Sequence, residues 1–214
     1  MRLGISYIGL FFVSFALAQS GPPKGPTAKD VECRAGLPAN CKEGKTTFTF
    51  EPDTLEMNLR NYSFMGNYHG NPGFWGSATW AANFTNWPSN YRFALTDLSY
   101  YGLFNSSDGI QLYRLRTEAV LDSDVPTDGL NTTSTLFDIV SKVAVGGNGT
   151  FEDYFKVNAE NSGLVWSPCF DSSINAAITV TVDADVRDKG IGPWIWGGFR
   201  KGLTLTWGVA WEEC

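Results

Sequence analysis

Three carboxylates on predicted strands are the residues best placed to do chemistry. Asp183 and Asp185 are two residues apart on one strand, which puts them on the same face at roughly 7 Å. Glu118 lies on the polar face of another strand, with Arg114 and Arg116. A glycosidase needs two carboxyl groups facing each other across the scissile bond at about 5 to 10 Å, so these three are the candidates for sugar cleavage. They equally fit a solvated strand face that discourages edge-to-edge aggregation, and no catalytic set is predicted.

Other groups that could do chemistry have ordinary structural interpretations. His69, the single histidine, lies in a polar loop, and no Gly-x-Ser-x-Gly nucleophile motif accompanies it. Asp122, Asp124 and Asp128 precede Gly129 and could offer oxygen ligands to calcium, but their spacing misses the EF-hand pattern and predicts an acidic turn. Without a C-x-x-C pair, zinc is not predicted. The sequence predicts no metal site and no cofactor.

Aromatic residues suggest a binding function instead. The chain has 8 tryptophans, and Trp87, Trp194 and Trp196 stand beside proline or glycine in predicted loops or strand ends. Exposed rings in such places can stack on sugars, so these three are candidate glycan-binding residues. The alternative is that they plug the ends of a β-sandwich, where large apolar groups are also needed.

The N-terminal segment predicts the cellular compartment of the protein. Arg2, the apolar run from Ile5 to Phe15 and the small-x-small pattern of 16–18 predict a signal peptide over residues 1–18, with the mature chain beginning at Gln19. The apolar run is too short to span a bilayer, and no later stretch is longer. The sequence therefore predicts a secreted, extracellular protein with no membrane span.

Cysteines and glycosylation motifs agree with export. Four cysteines in an oxidising compartment predict two disulfides. Three pairings are possible, of which Cys33 with Cys41 and Cys169 with Cys214 are favoured. Five N-x-Ser/Thr motifs predict N-glycosylation in a eukaryotic secretory pathway and require solvent exposure at each asparagine. They begin at Asn61, Asn83, Asn105, Asn131 and Asn148.

The net charge of the chain limits the classes of molecule that it is expected to bind. The chain carries 16 Lys and Arg against 22 Asp and Glu, a net charge of −6, and its cations form no cluster in sequence. Nucleic acid and anionic membrane surfaces are therefore disfavoured as partners.

Period-two alternation of apolar residues predicts the elements that must position these groups. The alternation is clearest from Ile174 to Val186 and from Gly202 to Trp211. Shorter strands are predicted at 46–50, 55–59, 78–84, 91–100, 110–121 and 151–157. Many short strands separated by turn residues predict one all-β, antiparallel, jelly-roll-like sandwich over residues 46–214, after a flexible Gly/Pro-rich leader at 19–45 that carries the first cysteine pair. Thr135 to Val145 fits either one short helix or an edge strand.

Several short motifs resemble a known family. They are Val165-Trp166-Ser167-Pro168-Cys169, the strand from Ile174, Leu203 to Trp207 with the terminal Cys214, and the pair of segments 91–95 and 97–102. Together they are similar to the fungal secreted family called domain of unknown function 4360, over roughly residues 46–214. The chain departs from that family in having Cys41, where the family's second cysteine usually falls near the position of Asn90. The resemblance implies a small secreted β-rich domain without implying an activity.

Three functions follow as hypotheses. The first is a non-enzymatic secreted β-sandwich that binds a cell-wall polysaccharide or another glycan. The second is a secreted carbohydrate-active enzyme using the paired carboxylates. The third is a fungal effector or a structural wall protein.

Overall fold

The computed structural model describes residues 24–36, 40–41, 46–60, 62–67, 74–106, 110–127, 130–146, 151–160, 163–171, 174–188 and 194–214. Within these ranges the chain forms strands and no helix. The strands are β1 (Thr27–Ala35), β2 (Thr46–Phe50), β3 (Thr54–Leu59), β4 (Tyr62–Asn67), β5 (Phe74–Thr85), β6 (Tyr91–Ser106), β7 (Ile110–Thr127), β8 (Leu130–Gly146), β9 (Phe151–Glu160), β10 (Ala176–Asp188) and β11 (Trp194–Glu213). In this part of the chain, no helix has the length and apolarity that a membrane crossing requires.

The strands form two antiparallel sheets. Sheet A has the order β1-β5-β10-β7-β8, and sheet B has the order β2-β3-β11-β6-β9, with β4 paired to the first half of β11. If β3 and β5 to β11 are counted as strands one to eight, sheet B runs 1-8-3-6 and sheet A runs 2-7-4-5. This alternation between two four-stranded sheets is the jelly-roll arrangement, and it confirms the predicted β-sandwich.

The inner faces of the two sheets form one core. Alternate residues of β10 and β11 are buried as their period-two pattern predicts, including Val180, Val182, Leu205 and Trp207. A cluster of aromatic rings fills part of the core. Its members are Phe50, Phe84, Trp87, Phe93, Phe170 and Trp211.

Two buried tyrosine hydroxyl groups have partners inside the sandwich. The Tyr62 hydroxyl lies 2.8 Å from the Gly76 carbonyl and 2.9 Å from the Val182 carbonyl. Burial raises the pKa of Tyr62, and the charge of nearby Asp183 raises this pKa further. The Tyr100 hydroxyl donates to Thr117 Oγ1 at 2.9 Å, and burial raises the pKa of Tyr100 to about 12.

Two predicted features differ in the structure. Residues 135–145 belong to the edge strand β8, so the alternative of a short helix is wrong. The segment assigned to a flexible leader at 19–45 contains β1, which pairs with β5, so the sandwich begins well before residue 46. β1 lacks apolar alternation because it is an edge strand on which only Ala28 and Cys33 are even partly buried. Residues 1–23, which include the predicted signal peptide, lie outside the described residues.

Two disulfides join Cys33 to Cys41 and Cys169 to Cys214, which confirms the favoured pairing. The first holds Asn40 against the edge of β4, where its amide donates to the Ser63 carbonyl at 2.8 Å and accepts from the Ser63 N–H at 2.8 Å. The side chain thus satisfies backbone groups that a neighbouring strand would otherwise bind. Because β1 belongs to sheet A and β4 to sheet B, this loop ties the two sheets together.

Candidate functional site

One of the candidate catalytic carboxylates, Asp185, is held by an arginine instead of facing a cleft. Asp185 is 2% exposed and accepts hydrogen bonds from Arg114, with Nε at 2.7 Å and Nη2 at 2.5 Å from Oδ2. Asp183 and Asp185 stand opposite Arg116 and Arg114 in the β7–β10 ladder, so they share a strand face as predicted. That face is not open at Asp185, because Arg114 covers the carboxylate. Glu118 stands opposite Asp138 in the β7–β8 ladder.

Ion pairing on the same sheet keeps a further carboxylate charged. Arg116 Nε and Nη2 each donate to Asp138 at 2.9 Å. The hydrogen bond from Arg116 lowers the pKa of Asp138, with the positive charge of the guanidinium acting in the same direction. A carboxyl group with a lowered pKa is poorly suited to act as a general acid.

The predicted acidic turn begins at Asp122, but this residue belongs to a strand in the structure. Asp122 lies within β7 and accepts a hydrogen bond from Thr133 Oγ1 on β8 at 2.8 Å, because the strand continues to Thr127. The side chain of Asp124, the whole of Asp128 and His69 lie outside the described residues.

Trp87 is a core residue, so the prediction of an exposed binding ring at this position is corrected. Its side chain is 2% exposed and stacks on Phe170 at 4.2 Å and on Phe93 at 5.4 Å between ring centroids. Its indole N–H donates to the Phe84 carbonyl at 3.2 Å. Trp87 therefore plugs the end of the sandwich, as the alternative interpretation held. The side chains of Trp194 and Trp196 lie outside the described residues.

The asparagines of the described glycosylation motifs differ in how exposed they are. Asn83 is exposed on β5, as glycan attachment requires, and its occupancy stays a prediction. Asn105 is 3% exposed, so the folded domain leaves no room for a glycan there and the prediction for Asn105 is corrected. Asn61, Asn148 and the side chain of Asn131 lie outside the described residues.

The outer face of sheet B carries an aromatic groove that the sequence did not reveal. We call it the Tyr101 groove; it has a volume of about 440 Å³, within the usual range of ligand sites. Its described lining consists of Thr47, Asn58, Leu59, Arg60, Tyr101, Gly102, Leu103, Gly202 and Thr204. Tyr101 is 58% exposed, which is unusual for a large aromatic residue in the middle of a sheet.

Strand register assembles the polar part of this groove. Thr47, Asn58, Thr204 and Tyr101 occupy one row across β2, β3, β11 and β6. Thr204 Oγ1 donates to Asn58 Oδ1 at 2.6 Å, and Asn58 Nδ2 donates to Glu56 Oε1 at 2.6 Å. This chain of hydrogen bonds fixes the amide before any ligand arrives, which lowers the entropy cost of binding.

Two glycines beside the groove allow the strands to approach each other closely. A Cβ on Gly102 would lie 2.9 Å from the Gly202 carbonyl and 3.0 Å from the Phe199 ring, so a larger residue would push β6 away from β11. Gly202 has a φ of +111°, a conformation that side chains rarely adopt. It ends a bulge in β11, where residues 200–202 interrupt the pairing with β6.

Two other grooves have less to offer a ligand. One, of about 410 Å³ on sheet A, is lined by Asn83, Asp122, Ser123, Thr133 and 175–177, and its lining contains no aromatic residue. Another, of about 320 Å³, lies between residues 24–28 and 48–52, where Phe48 and Phe50 are buried. Among these described sites, only the Tyr101 groove presents an exposed ring beside hydrogen-bonding side chains.

A signal for Tyr101 was present in the sequence. Tyr100 ends the predicted strand 91–100 and Tyr101 follows it, so in a strand that continues past Tyr100 only one of the two rings can face the core. Leu98 and Tyr100 share the buried face, which leaves Tyr101 on the outer face. The groove around it could not be inferred, because it depends on the register of four strands that are distant in sequence.

Comparisons with known proteins give only weak similarity. No family model and no curated protein matches the chain. Among solved structures, TmCBM61 in complex with beta-1,4-galactotriose is 9% identical, with 90% of this chain and 89% of that chain covered and a TM-score of 0.22. A non-crystalline cellulose specific carbohydrate-binding module, CBM28, is 10% identical, with 86% and 88% covered and a TM-score of 0.31. Infectious bursal disease virus Gt strain gives 16% identity, 83% and 42% coverage and a TM-score of 0.29. Similarity this weak carries no information about a ligand.

Proposed function

We propose that the protein is a secreted β-sandwich that binds carbohydrate without cleaving it, through the Tyr101 groove. The exposed Tyr101 ring carries this proposal. An aromatic face packs well on the C–H groups of a sugar ring. Amide and hydroxyl groups beside it, on Asn58, Thr47 and Thr204, match the hydroxyl groups of a sugar.

The shape and position of the groove support a polymer as ligand. Its lining comes from four neighbouring strands on the outer face of sheet B, a surface along which a sugar chain can lie. The two disulfides are compatible with an oxidising, extracellular setting, where wall polysaccharides are found. Membership of the family called domain of unknown function 4360 stays a prediction.

Replacement of the Tyr101 ring tests the proposal. Affinity electrophoresis and calorimetry against a panel of neutral and acidic polysaccharides should identify at least one retained polymer. Tyr101→Ala should then weaken binding at least about tenfold, equivalent to about 1.4 kcal/mol, because the stacking surface is lost. Tyr101→Phe should bind within a few fold of the parent protein, because the ring remains.

Val140→Ala is the matched control, since Val140 is 48% exposed on β8 of the other sheet. This variant loses an exposed apolar side chain without touching the groove, so its binding should not change. Near-ultraviolet circular dichroism checks that all variants keep the native core. The absence of any retained polymer, or a Tyr101→Ala protein that binds as well as its parent, would refute the proposal.

A further inference from the structure

The outer face of sheet A carries a polar groove at one of the predicted glycosylation sites. Asn83 on β5 lines this groove, which has a volume of about 410 Å³ and continues over β10, β7 and β8. Among the motif asparagines whose side chains the structure describes, Asn83 is exposed and Asn105 is buried. We call this surface the Asn83 groove.

Strand register aligns the side chains of the Asn83 groove. Asn83 is the register partner of Ala177 on β10, and Ala177 is the partner of Asp122 on β7. Asp122 stands in turn opposite Thr133 on β8. The residues next to this row along β5, β10 and β7 are buried in the core, so the row faces outward. One straight line of side chains therefore crosses four strands, beginning at the glycosylation motif.

Ala177 leaves a hollow in the middle of this row. Its side chain is a single methyl group, whereas Asn83 and Asp122 on either side carry longer polar groups. Two spacings of about 4.8 Å between neighbouring strands place the backbones of Asn83 and Asp122 about 10 Å apart. A sugar ring attached to Asn83 can therefore lie over Ala177 and reach Asp122.

The far side of the hollow offers hydrogen-bonding groups. Thr133 Oγ1 donates to Asp122 Oδ1 at 2.8 Å. A carboxylate has about four acceptor sites, so this bond leaves Asp122 with capacity for a sugar hydroxyl. The exposed amide of Asn175 lines the same groove and can both donate and accept. These groups match the hydroxyl and acetamide groups of N-acetylglucosamine, the first sugar of an N-linked glycan.

We infer that Asn83 is glycosylated and that the first N-acetylglucosamine of its glycan lies in the Asn83 groove, over Ala177 and against Asp122. This inference rests on the secretion that the proposed function includes, and it is independent of the Tyr101 groove. The lining of the Asn83 groove contains no aromatic residue. An attached sugar needs none, because the covalent link holds it at a high effective concentration.

Attachment requires a lipid-linked diphospho-oligosaccharide of the secretory pathway as co-reactant. A bond forms between Asn83 Nδ2 and C1 of the first sugar, and the amide nitrogen loses one proton. The bond between C1 and the diphosphate oxygen breaks, and the lipid diphosphate leaves with its electron pair. Nothing is oxidised or reduced, so the donor and the asparagine are sufficient.

Mass spectrometry of the full chain secreted from a eukaryotic host tests the attachment. The peptide that contains Asn83 should carry a glycan, and Thr85→Ser should keep it, because serine preserves the N-x-Ser/Thr motif. Asn83→Gln and Thr85→Ala each abolish the motif in a different way and should lose this glycan. An unmodified Asn83 in the secreted parent protein would overturn the inference.

Urea unfolding tests whether the first sugar contacts the protein. Endoglycosidase cleavage between the first two sugars leaves one N-acetylglucosamine on each occupied asparagine, so sugars at other sites are the same in every protein. The trimmed parent should have an unfolding equilibrium constant at least about fivefold smaller than the trimmed Asn83→Gln and Thr85→Ala proteins, the worth of about one hydrogen bond. Agreement between these two variants shows that the loss comes from the sugar and not from either side chain.

Ala177→Gln assigns the effect to the groove, because the longer side chain fills the hollow. In this background, Asn83→Gln should change the unfolding constant by less than about twofold, since the sugar no longer lies against the sheet. Thr135→Gln is the matched control, because Thr135 is exposed on β8 and lies outside the lining of the groove. In the control background the full effect of Asn83→Gln should remain. Any instability of a background substitution cancels within each comparison.

The outcomes separate this inference from the proposed function. An equal effect of Asn83→Gln in the parent and Ala177→Gln backgrounds would overturn the groove contact, as would loss of the whole effect on trimming. Polysaccharide binding through Tyr101 should be unchanged in Asn83→Gln, since the two grooves lie on different sheets. If no polysaccharide is retained but the cycle shows the sugar in the Asn83 groove, carbohydrate binding at Tyr101 fails and this inference stands.

Discussion

At the residue scale, period-two patterns identify which side chains face the core but not what covers the opposite face. Trp207 and Val182 are buried as the pattern predicts. Asp185 and Asn105 are buried too, although their sequence positions suggested solvent. Asp185 lies at a register irregularity and pairs with Arg114, and such cross-strand neighbours are invisible in a single sequence.

Trp87 gives a test at this scale, because it separates a core role from a binding role. Trp87→Ala should destabilise the fold by about 3 to 5 kcal/mol, since it removes a ring that stacks on Phe93 and Phe170. Trp87→Phe should cost less, because it keeps part of the contact and loses the hydrogen bond to Phe84. Urea unfolding measures both changes. Under native conditions, polysaccharide affinity should match that of the parent protein; a selective loss of affinity in the stable Trp87→Phe variant would argue for a binding role.

At the element scale, sequence patterns miss edge strands or leave them ambiguous, because these strands bury few apolar side chains. β1 is an edge strand with mostly exposed residues, and β8 is the opposite edge of the same sheet. The central strands β10 and β11 were predicted because each has strands on both sides and packs one face on the opposite sheet. Apolar and polar residues therefore alternate strictly along them. The register of β2, β3, β11 and β6, which creates the Tyr101 groove, depends on pairing between distant segments.

The two disulfides constrain the elements to different degrees. Cys33 and Cys41 are separated by 8 positions, and Cys169 and Cys214 by 45. The loop-entropy relation gives about 2.5 kcal/mol for the first bridge and about 4 kcal/mol for the second. Urea unfolding of the Cys33→Ser/Cys41→Ser and Cys169→Ser/Cys214→Ser proteins should therefore show the larger loss in the second. Equal or reversed losses would mean that native contacts, such as those of Asn40 with Ser63, outweigh loop length.

At the scale of the whole molecule, composition and period predicted a secreted all-β sandwich, and the structure confirms its architecture. The Tyr101 groove was not predictable in this way. Thr47, Asn58, Tyr101 and Thr204 are dispersed in the sequence and meet only through sheet pairing.

The buried tyrosines predict how global stability depends on pH. The pKa of Tyr100 is raised to about 12, and that of Tyr62 is raised as well, whereas an unfolded tyrosine ionises near pH 10. Their contribution to stability is therefore fully present below about pH 10 and is lost as pH rises toward 12, because the unfolded chain releases protons first. The free energy of unfolding in urea, measured from pH 8 to 11, should fall most steeply above pH 10. Tyr100→Phe should flatten this fall; an unchanged slope would contradict the assignment.

The placement of β10 and β11 has a consequence for how the chain is made. Each is the middle strand of its sheet, yet both follow all the other described strands in the chain. Until they emerge, β5 has no bridge to β7, and β3 has none to β6, so neither half of the sandwich can close. Folding must await the synthesis of these two strands, and during that interval the earlier strands present unpaired, apolar edges. Substitutions that weaken β10 or β11 should therefore lower the yield of folded protein more than their effect on equilibrium stability indicates.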